Sequence, residues 1–177
     1  MHDTMKRENF CFPGMESKMI IRQIYDNFEK KKIARLILEA LPEWFGIPDA
    51  REEYIMDSDG RTFFCAFDCS RPVGFIYLKE TGRDTVELAV MGVLKEYHRM
   101  GIGRKLFRMV KEKAWVQGYS FMQVKTVQMG RYENYDETNR FYRSLGFKEF
   151  EVFPELWDEW NPCQIYVMSL GLPESAF

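Results

Sequence analysis

One stretch near the middle of the chain, residues 85–116, limits the folds that are open to this sequence. The run Val86–Val93 is mostly apolar, and apolar residues then recur at helical spacing between Ile102 and Ala114. These two patterns are typical of a buried strand and of an amphipathic helix. The segment that joins them is His98-Arg99-Met100-Gly101-Ile102-Gly103-Arg104. The sequence therefore predicts a strand, a glycine-containing loop and a helix in direct succession.

Gly101 and Gly103, at the start of the predicted helix, indicate an anion-binding site. Glycine lets the backbone pass close to a ligand, and the first N–H groups of a helix lie at the positive end of its dipole. A phosphate is the expected ligand, with Arg99, Arg104 and Lys105 adding positive charge. The segment is neither a P-loop, since no Gly-Lys-Ser/Thr follows, nor a dinucleotide fingerprint, since Leu106 takes the place of the third glycine. A glycine turn that merely begins a helix is the alternative.

The same loop resembles the acetyl-coenzyme A (acetyl-CoA) signature of the GNAT superfamily of N-acetyltransferases. That signature is Gln/Arg-x-x-Gly-x-Gly/Ala after a hydrophobic strand, and here four residues separate Val93 from His98-x-x-Gly101-x-Gly103. His98 stands where Gln or Arg is usual, and Lys95 stands where a proline is common. Because such a loop binds mainly through backbone N–H groups, neither departure is expected to abolish cofactor binding.

A second block agrees with this resemblance. It runs from Tyr135 to Phe147 and is similar to the family's helix that ends in Phe-Tyr and is followed by Leu-Gly-Phe, here Phe141-Tyr142 and Leu145-Gly146-Phe147. The resemblance implies an acyl-CoA N-acyltransferase fold for nearly the whole chain past residue 18. We therefore expect an α/β domain of mixed α+β type, with a central mixed sheet of about seven strands flanked by helices.

Turn and periodicity signals along the rest of the chain predict the order β, α, α, β, β, β, α, β, α, β, β. Asp26 is expected to begin the first helix, with Glu29 at capping-box spacing. Asp136 is the expected N-cap of a helix over residues 137–145. The strand at residues 121–127 follows a crossover helix, so it is expected to lie parallel to the strand before that helix.

Length and charge narrow the class of protein. A chain of 177 residues that is 46% hydrophobic is enough for one well-packed domain, which we place at residues 19–177 after a loose leader at residues 1–18. The net charge of −2, with both signs interspersed, argues against a nucleic-acid surface. No run of about 18 apolar residues and no secretion signal are present, so a cytoplasmic protein without membrane contact is expected.

The potential metal ligands are few. Cys65 and Cys69 are four residues apart, but no second pair of ligands accompanies them, so free thiols are expected for the cysteines rather than a zinc site. The two histidines, His2 and His98, provide neither a histidine-rich site nor a convincing catalytic triad. We therefore predict no metal.

Two residues are candidates for acid–base chemistry, which amine acetylation requires because most of an amine is protonated at neutral pH. Glu87 lies inside the apolar strand, where a carboxylate is out of character, and it is the first candidate for the general base. Its position fourteen residues before Gly101 is similar to that of the base in some family members. Tyr142 resembles the family's tyrosine that protonates the leaving thiolate. A solvent-facing Glu87 and a core tyrosine are the alternatives.

The resemblance also implies the residues that bind the two substrates. The predicted cofactor-binding residues are Met91, Gly92, Val93, His98, Arg99, Met100, Gly101, Ile102, Gly103, Arg104, Tyr135 and Asn139. The acceptor pocket is expected at the junction of the first two helices and at the loop before the last strand, where Trp44, Phe45 and Trp157 join Glu87. Carboxylates beside indoles suit a cationic amine. Ordinary packing explains the same residues equally well.

These observations favour an N-acetyltransferase that moves the acetyl group of acetyl-CoA to a primary amine by direct attack in a ternary complex. The acceptor is expected to be a small-molecule or peptide amine. A catalytically silent acyl-CoA-binding module that regulates a partner is the alternative, and a nucleotide-binding protein is a third. The identity of the amine and the oligomeric state, a homodimer included, are left open.

Overall fold

The computed structural model describes residues 19–171, so the predicted leader at residues 1–18 lies outside the described residues, as do residues 172–177. The strands are β1 (Met19–Ile24), β2 (Thr62–Asp68), β3 (Arg71–Glu80), β4 (Thr85–Val93), β5 (Phe121–Val127), β6 (Lys148–Phe153) and β7 (Cys163–Ser169). The helices are α1 (Asn27–Glu39), α2 (Pro42–Phe45), α3 (Pro48–Asp57), α4 (Ile102–Val116) and α5 (Glu133–Ser144), and a short 3₁₀ turn, Lys95–Tyr97, follows β4.

All seven strands belong to one sheet, in the order β1-β2-β3-β4-β5-β7-β6. Neighbouring strands are antiparallel except at the centre, where β4 and β5 are parallel. The predicted mixed sheet of about seven strands and the predicted parallel pair are therefore confirmed.

The centre of the sheet is also where it opens. The ladder between β4 and β5 joins only residues 85–87 to residues 121–123, and beyond Glu87 the two strands have no paired residues. On its other edge β4 carries a bulge, because Tyr77 pairs with Val90 and Leu78 with Leu88, which leaves Ala89 as an extra residue. One edge of β4 past Glu87 is therefore free to face something other than a strand.

Helices cover both faces of the sheet at β4. Successive residues of a strand point to opposite faces. A Cβ placed on Gly92 would lie 2.9 Å from Ile37 of α1, whereas a Cβ placed on Gly103 of α4 would lie 2.7 Å from Met91. Since Met91 and Gly92 are adjacent, α1 and α4 pack on opposite sides of the strand. Each glycine permits a close approach that any side chain would disturb.

The predicted helix starts have different outcomes. Asp26 is the N-cap of α1 and accepts a hydrogen bond of 2.7 Å from the backbone N–H of Glu29, as predicted. The prediction for Asp136 is wrong, because α5 already begins at Glu133 and the Asp136 carboxylate instead accepts from the N–H of Gly130 at 2.7 Å. The carboxylate therefore fixes the loop that precedes the helix.

The cysteines only partly follow the expectation. Cys65 and Cys163 are buried free thiols, whereas Cys69 is disulfide-bonded. Between residues 19 and 171 no three His, Cys, Asp or Glu side chains are grouped closely enough to hold a metal ion. Within the same range no helix combines the length and the apolar character needed to cross a membrane.

Candidate active site

A cleft of about 1230 Å³ occupies the opening between β4 and β5. Its walls also include α2, α3, the start of α4, one side of α5 and part of the loop at residues 154–162. Pockets for single small ligands are usually about 300–1,000 Å³, so this cleft has room for two substrates together. The predicted site residues that line it are Trp44, Phe45, Glu87, Met91, Gly92, Val93, His98, Arg99, Gly101, Ile102, Gly103, Arg104, Tyr135, Tyr142 and Trp157.

Two predicted cofactor residues do not line the cleft. Met100 is exposed on the loop. Asn139 is fully buried, and its side-chain nitrogen donates to the carbonyl oxygens of Val127 at 2.9 Å and Tyr135 at 2.7 Å. Its side-chain oxygen accepts from the hydroxyl of Tyr166 at 2.7 Å. We therefore correct the prediction for Asn139, whose side chain connects α5 to β5 and β7 and does not line the cleft.

The loop that follows β4 turns back sharply at residues 98–104, which we call the loop end of the cleft. The ring of His98 donates a hydrogen bond of 2.7 Å from Nε2 to the carbonyl of Val93, which anchors the loop to the end of the strand. Arg99 and Gly101 both have left-handed backbone, with φ of 60° and 76°. The N-cap residue of α4 is Gly101, which has no side chain with which to cap the helix. The first N–H groups of that helix are therefore available to an anion in the cleft.

Positions 101 and 103 of the loop require glycine for different physical reasons. Gly101 needs its residue type for the positive φ, and a Cβ there would meet no atom within 4 Å. At Gly103 a Cβ would lie 2.7 Å from Met91 and 3.1 Å from Phe141. The sequence analysis interpreted both glycines as making room for a ligand. In the structure Gly103 makes room for two side chains of the protein, and only Gly101 shapes the loop.

Cationic side chains at the loop end reach across the cleft to α5. Arg99 lies 3.4 Å from the carboxylate of Glu137, and the guanidinium of Arg104 donates to Ser144, at 3.3 Å to the carbonyl and 3.1 Å to the hydroxyl. Both arginines are exposed. They place positive charge beside the start of α4.

Glu87 lies at the opposite end of the cleft. It is six residues before Val93 on β4, a distance of about 20 Å along the strand. Its residue is 8% exposed, so the alternative of a solvent-facing side chain does not hold. The carboxylate lies 2.8 Å from the ammonium of Lys125 and accepts a longer bond of 3.5 Å from Gln123, both on β5. Lys125 was missed by the sequence analysis, although polar residues at 123 and 125 alternate with apolar ones along that strand.

Tyr142 lines the same cleft from α5. Its ring packs against Phe141 and Phe147, with ring centroids 5.7 and 6.0 Å apart. Burial, and to a smaller extent the neighbouring Tyr135, raises the pKa of Tyr142 above its ordinary value. The phenol therefore keeps its proton through the physiological pH range, as a proton donor must.

Helix α2 bridges the walls of the cleft through Trp44. The indole N–H donates to the hydroxyl of Thr138 at 3.1 Å, and the carbonyl of Trp44 accepts from the hydroxyl of Tyr135 at 3.0 Å. On the other side the indole ring meets His98 edge-on at 6.0 Å. An ion pair between Glu43 and Lys95 adds a further link. The polar groups of Trp44 are thus already used, and only its ring surface is left for an acceptor.

Helix α3 contributes residues that the sequence analysis did not consider. Tyr54 lines the cleft, with its carbonyl accepting a hydrogen bond of 2.9 Å from Tyr77 and its ring edge-on to Phe45 at 6.0 Å. Burial, and secondarily the charge of Glu87, raises the pKa of Tyr54. Its neighbour Arg51 also lines the cleft. Arg51, Tyr54, Glu87, Lys125 and Trp157 together form what we call the Glu87 end of the cleft.

Comparison with solved structures finds the same fold in several acetyltransferases. A protein described as an acetyltransferase of the GNAT family, from Desulfovibrio desulfuricans, aligns over 87% of this chain and 100% of its own, with a TM-score of 0.74 and 18% identity. An aminoglycoside 6'-N-acetyltransferase complexed with coenzyme A aligns over 86% and 98%, with a TM-score of 0.66 and 19% identity. A Salmonella typhimurium protein solved with its cofactor acetyl-CoA aligns over 90% and 96%, at 0.66 and 17%.

Sequence comparison gives a match to a family model but none to a curated protein. The family model of the acetyltransferase (GNAT) domain matches residues 59–149, just over half of the chain. That range includes the opened strand β4, the loop end and Tyr142, all of which line the cleft. This chain therefore belongs to the GNAT family of acetyltransferases.

Proposed function

We propose that this protein is an acetyl-CoA-dependent N-acetyltransferase that acts on a primary amine by direct attack in a ternary complex. The observation that carries the proposal is that Glu87 and Tyr142 line one cleft, together with the uncapped start of α4. Family membership supports an acyltransferase activity. The names of two structural neighbours, one complexed with coenzyme A and one with acetyl-CoA, support the choice of acyl donor.

The residues of the cleft fit acetyl-CoA, which supplies a thioester that is reactive toward amines. The N–H groups at the start of α4, with Arg99 and Arg104 beside them, suit the negative charge of a diphosphate. The free edge of β4 past Glu87 offers backbone hydrogen-bonding groups to the amide-containing arm. The volume of about 1230 Å³ leaves space for an acceptor beside it.

Glu87 takes the proton that the attacking amine must lose. A lysine-like amine has a pKa of about 10.4 and is mostly protonated at neutral pH, so it is unreactive until a base accepts that proton. Glu87 accepts it directly or through a water, while the ammonium of Lys125 balances the charge of the carboxylate. Those N–H groups of residues 91–93 that point away from β3 stabilise the negative charge that develops on the acyl oxygen.

Tyr142 supplies the proton that the departing sulfur takes up as the carbon–sulfur bond breaks. Its raised pKa means that the phenol is present in the protonated form before the reaction. A free thiol has a pKa of about 8.5, so proton transfer from the phenol requires the two groups to be held close. The packing of Tyr142 between Phe141 and Phe147 holds the phenol in a fixed direction.

The test measures release of free thiol from acetyl-CoA with a panel of primary amines, and coenzyme A binding in parallel. We expect amine-dependent thiol release, which Tyr142→Phe slows about a hundredfold while coenzyme A binding is unchanged. Tyr25→Phe is the matched control, because Tyr25 is 76% exposed and lies outside the cleft. Coenzyme A binding without turnover of any amine would instead support the silent module. Tighter binding of ATP than of coenzyme A would support a nucleotide-binding protein.

A further inference from the structure

The Glu87 end of the cleft contains a cation that forms no ion pair with a carboxylate of the described residues. Arg51 is half-buried on α3 and donates one hydrogen bond of 3.1 Å to the carbonyl oxygen of Phe45. Among residues 19–171, no carboxylate oxygen lies within 4.0 Å of its guanidinium. A guanidinium is a planar fork of N–H donors, so most of its donors are left for a ligand.

Other charges on the walls nearby are already committed. Glu87 and Lys125 neutralise each other across 2.8 Å. The carboxylate of Asp158 accepts from the backbone N–H groups of Trp160 and Asn161 and from the side chain of Asn161, all at 2.9 Å, and these bonds lower its pKa. Glu53 has no ion pair in the described part of the chain, but it is exposed at the rim. Arg51 is therefore the cation at this end of the cleft that forms no ion pair in the described part of the chain, and its guanidinium is available to an anionic group of an acceptor.

Arg51 stands on the wall that leads to Glu87. Arg51 and Tyr54 are three residues apart on α3, so their side chains are neighbours on one face of the helix. Tyr54 in turn is close enough to Glu87 to be affected by its charge. Phe45 touches both members of this pair, through its carbonyl to Arg51 and its ring to Tyr54. The order along the wall is Arg51, Tyr54, Glu87.

We propose that Arg51 determines acceptor specificity by binding a carboxylate group, so that the acceptor is a primary amine that also carries a carboxylate. Guanidinium and carboxylate form paired, charge-assisted hydrogen bonds with matching geometry. With its carboxylate at Arg51, such an acceptor directs its amino group past Tyr54 toward Glu87. This inference rests on the proposed function and specifies its substrate class.

The experiment compares thiol release with two series of amines that differ only in the carboxylate. The first comparison pairs ω-amino acids with alkylamines of the same lengths. The second pairs α-amino acids with their carboxamides. We expect the wild-type protein to prefer the carboxylated member of each productive pair. Arg51→Gln should lower kcat/KM for the carboxylated amines about ten- to hundredfold, chiefly through KM, because it removes a charged hydrogen bond made in the bound state.

Two further variants make the result specific. Arg51→Lys keeps the charge and should restore part of the preference, while Arg108→Gln, at an exposed arginine of α4 outside the cleft, should leave it unchanged. An unaltered rate of Arg51→Gln with the neutral amines shows that its fold and catalytic groups are intact. A wild-type preference for neutral amines or diamines, or an Arg51→Gln variant that keeps its preference, overturns this inference alone. Absence of turnover with every amine overturns the proposed function, and this inference with it.

Discussion

The two ends of the cleft are built in different ways. At the loop end, one continuous segment presents backbone groups, with left-handed residues at 99 and 101 and a helix start that no side chain caps. At the Glu87 end, side chains from α3, β4, β5 and the loop at residues 154–162 converge from distant parts of the chain. A site made of backbone depends on the path of the chain, whereas a site made of side chains depends on each residue's chemistry. Substitutions at the two ends should therefore fail in different ways.

The largest effect is expected at Glu87, where chemistry should fail and cofactor binding should not. Glu87→Gln keeps the shape of the side chain and an oxygen that accepts from Lys125, but it removes the basic carboxylate. We expect kcat to fall about a hundredfold or more, since a positioned base contributes at least that much. The measurement is the steady-state rate of thiol release with a saturating amine, together with the affinity for coenzyme A.

Glu149→Gln is the matched control for that change. Glu149 is also a strand glutamate with a cationic partner, Arg143 at 3.6 Å, but it lies on β6 and outside the cleft. Its substitution should leave the rate unchanged. If Glu87→Gln kept kcat within a few fold of the wild type, the base would have to be another group. The Glu87 end would then not be distinguished from the loop end by its catalytic chemistry.

At the loop end the backbone itself should be the sensitive part. Gly101 and Gly118 have similar left-handed φ values, 76° and 88°, and a Cβ at either position would meet no atom within 4 Å. Alanine at each should cost about 1 kcal/mol of stability, because a left-handed conformation is unfavourable for a side chain. Only Gly101→Ala should also weaken coenzyme A binding, by about tenfold if the strain is relieved by moving the loop.

Thermal unfolding and coenzyme A titration of both variants separate these effects. Gly118 follows α4 at its far end, so its variant reports the cost of strain without any change in the cleft. Equal losses of affinity in the two variants would mean that general destabilisation, and not the shape of the loop, governs binding.

The loop end was predictable from sequence because its parts are neighbours in the chain. The apolar strand, the glycines and the helix pattern lie within one stretch, and β4, Thr85–Val93, begins one residue before the apolar run that predicts it. The capping of α1 by Asp26 is local in the same sense. Where only three or four residues separate cause from effect, spacing is enough to predict the structure.

The Glu87 end and the buried side of α5 were less predictable because their contacts depend on register between distant segments. Lys125 reaches Glu87 only because β4 and β5 are parallel, in a register that pairs residue 87 with residue 123. Asn139 has the polarity of a ligand contact, but its partners, Val127 and Tyr166, lie on two other strands. A polar residue on an amphipathic helix has the same sequence pattern whether it binds a ligand or another strand.

The smallest expected effect concerns Trp44, the residue through which α2 connects the two walls of the cleft. Trp44→Phe keeps an aromatic ring near His98 but removes the N–H that donates to Thr138 at 3.1 Å. Thr138→Val removes the acceptor of that bond and also the bond of 3.1 Å that the Thr138 hydroxyl donates to the carbonyl of Asn134. At the usual net value of about 1 kcal/mol for one such bond, Trp44→Phe should lower the free energy of unfolding by about 1 kcal/mol and Thr138→Val by about 2 kcal/mol.

The double variant tests whether the hydrogen bond between Trp44 and Thr138 connects the two walls of the cleft in solution. If Trp44 and Thr138 are partners, their shared bond cannot be lost twice, and the double variant should be about 1 kcal/mol more stable than the sum of the single effects predicts. Two carbonyls of α2 are unaffected by either change, that of Trp44, which accepts from Tyr135, and that of Glu43, which accepts from Asn134, so α2 keeps both links to α5 throughout. Additive effects would mean that the indole and the hydroxyl do not bond. Helix α2 would then be attached to α5 through its backbone alone, the same kind of contact that builds the loop end.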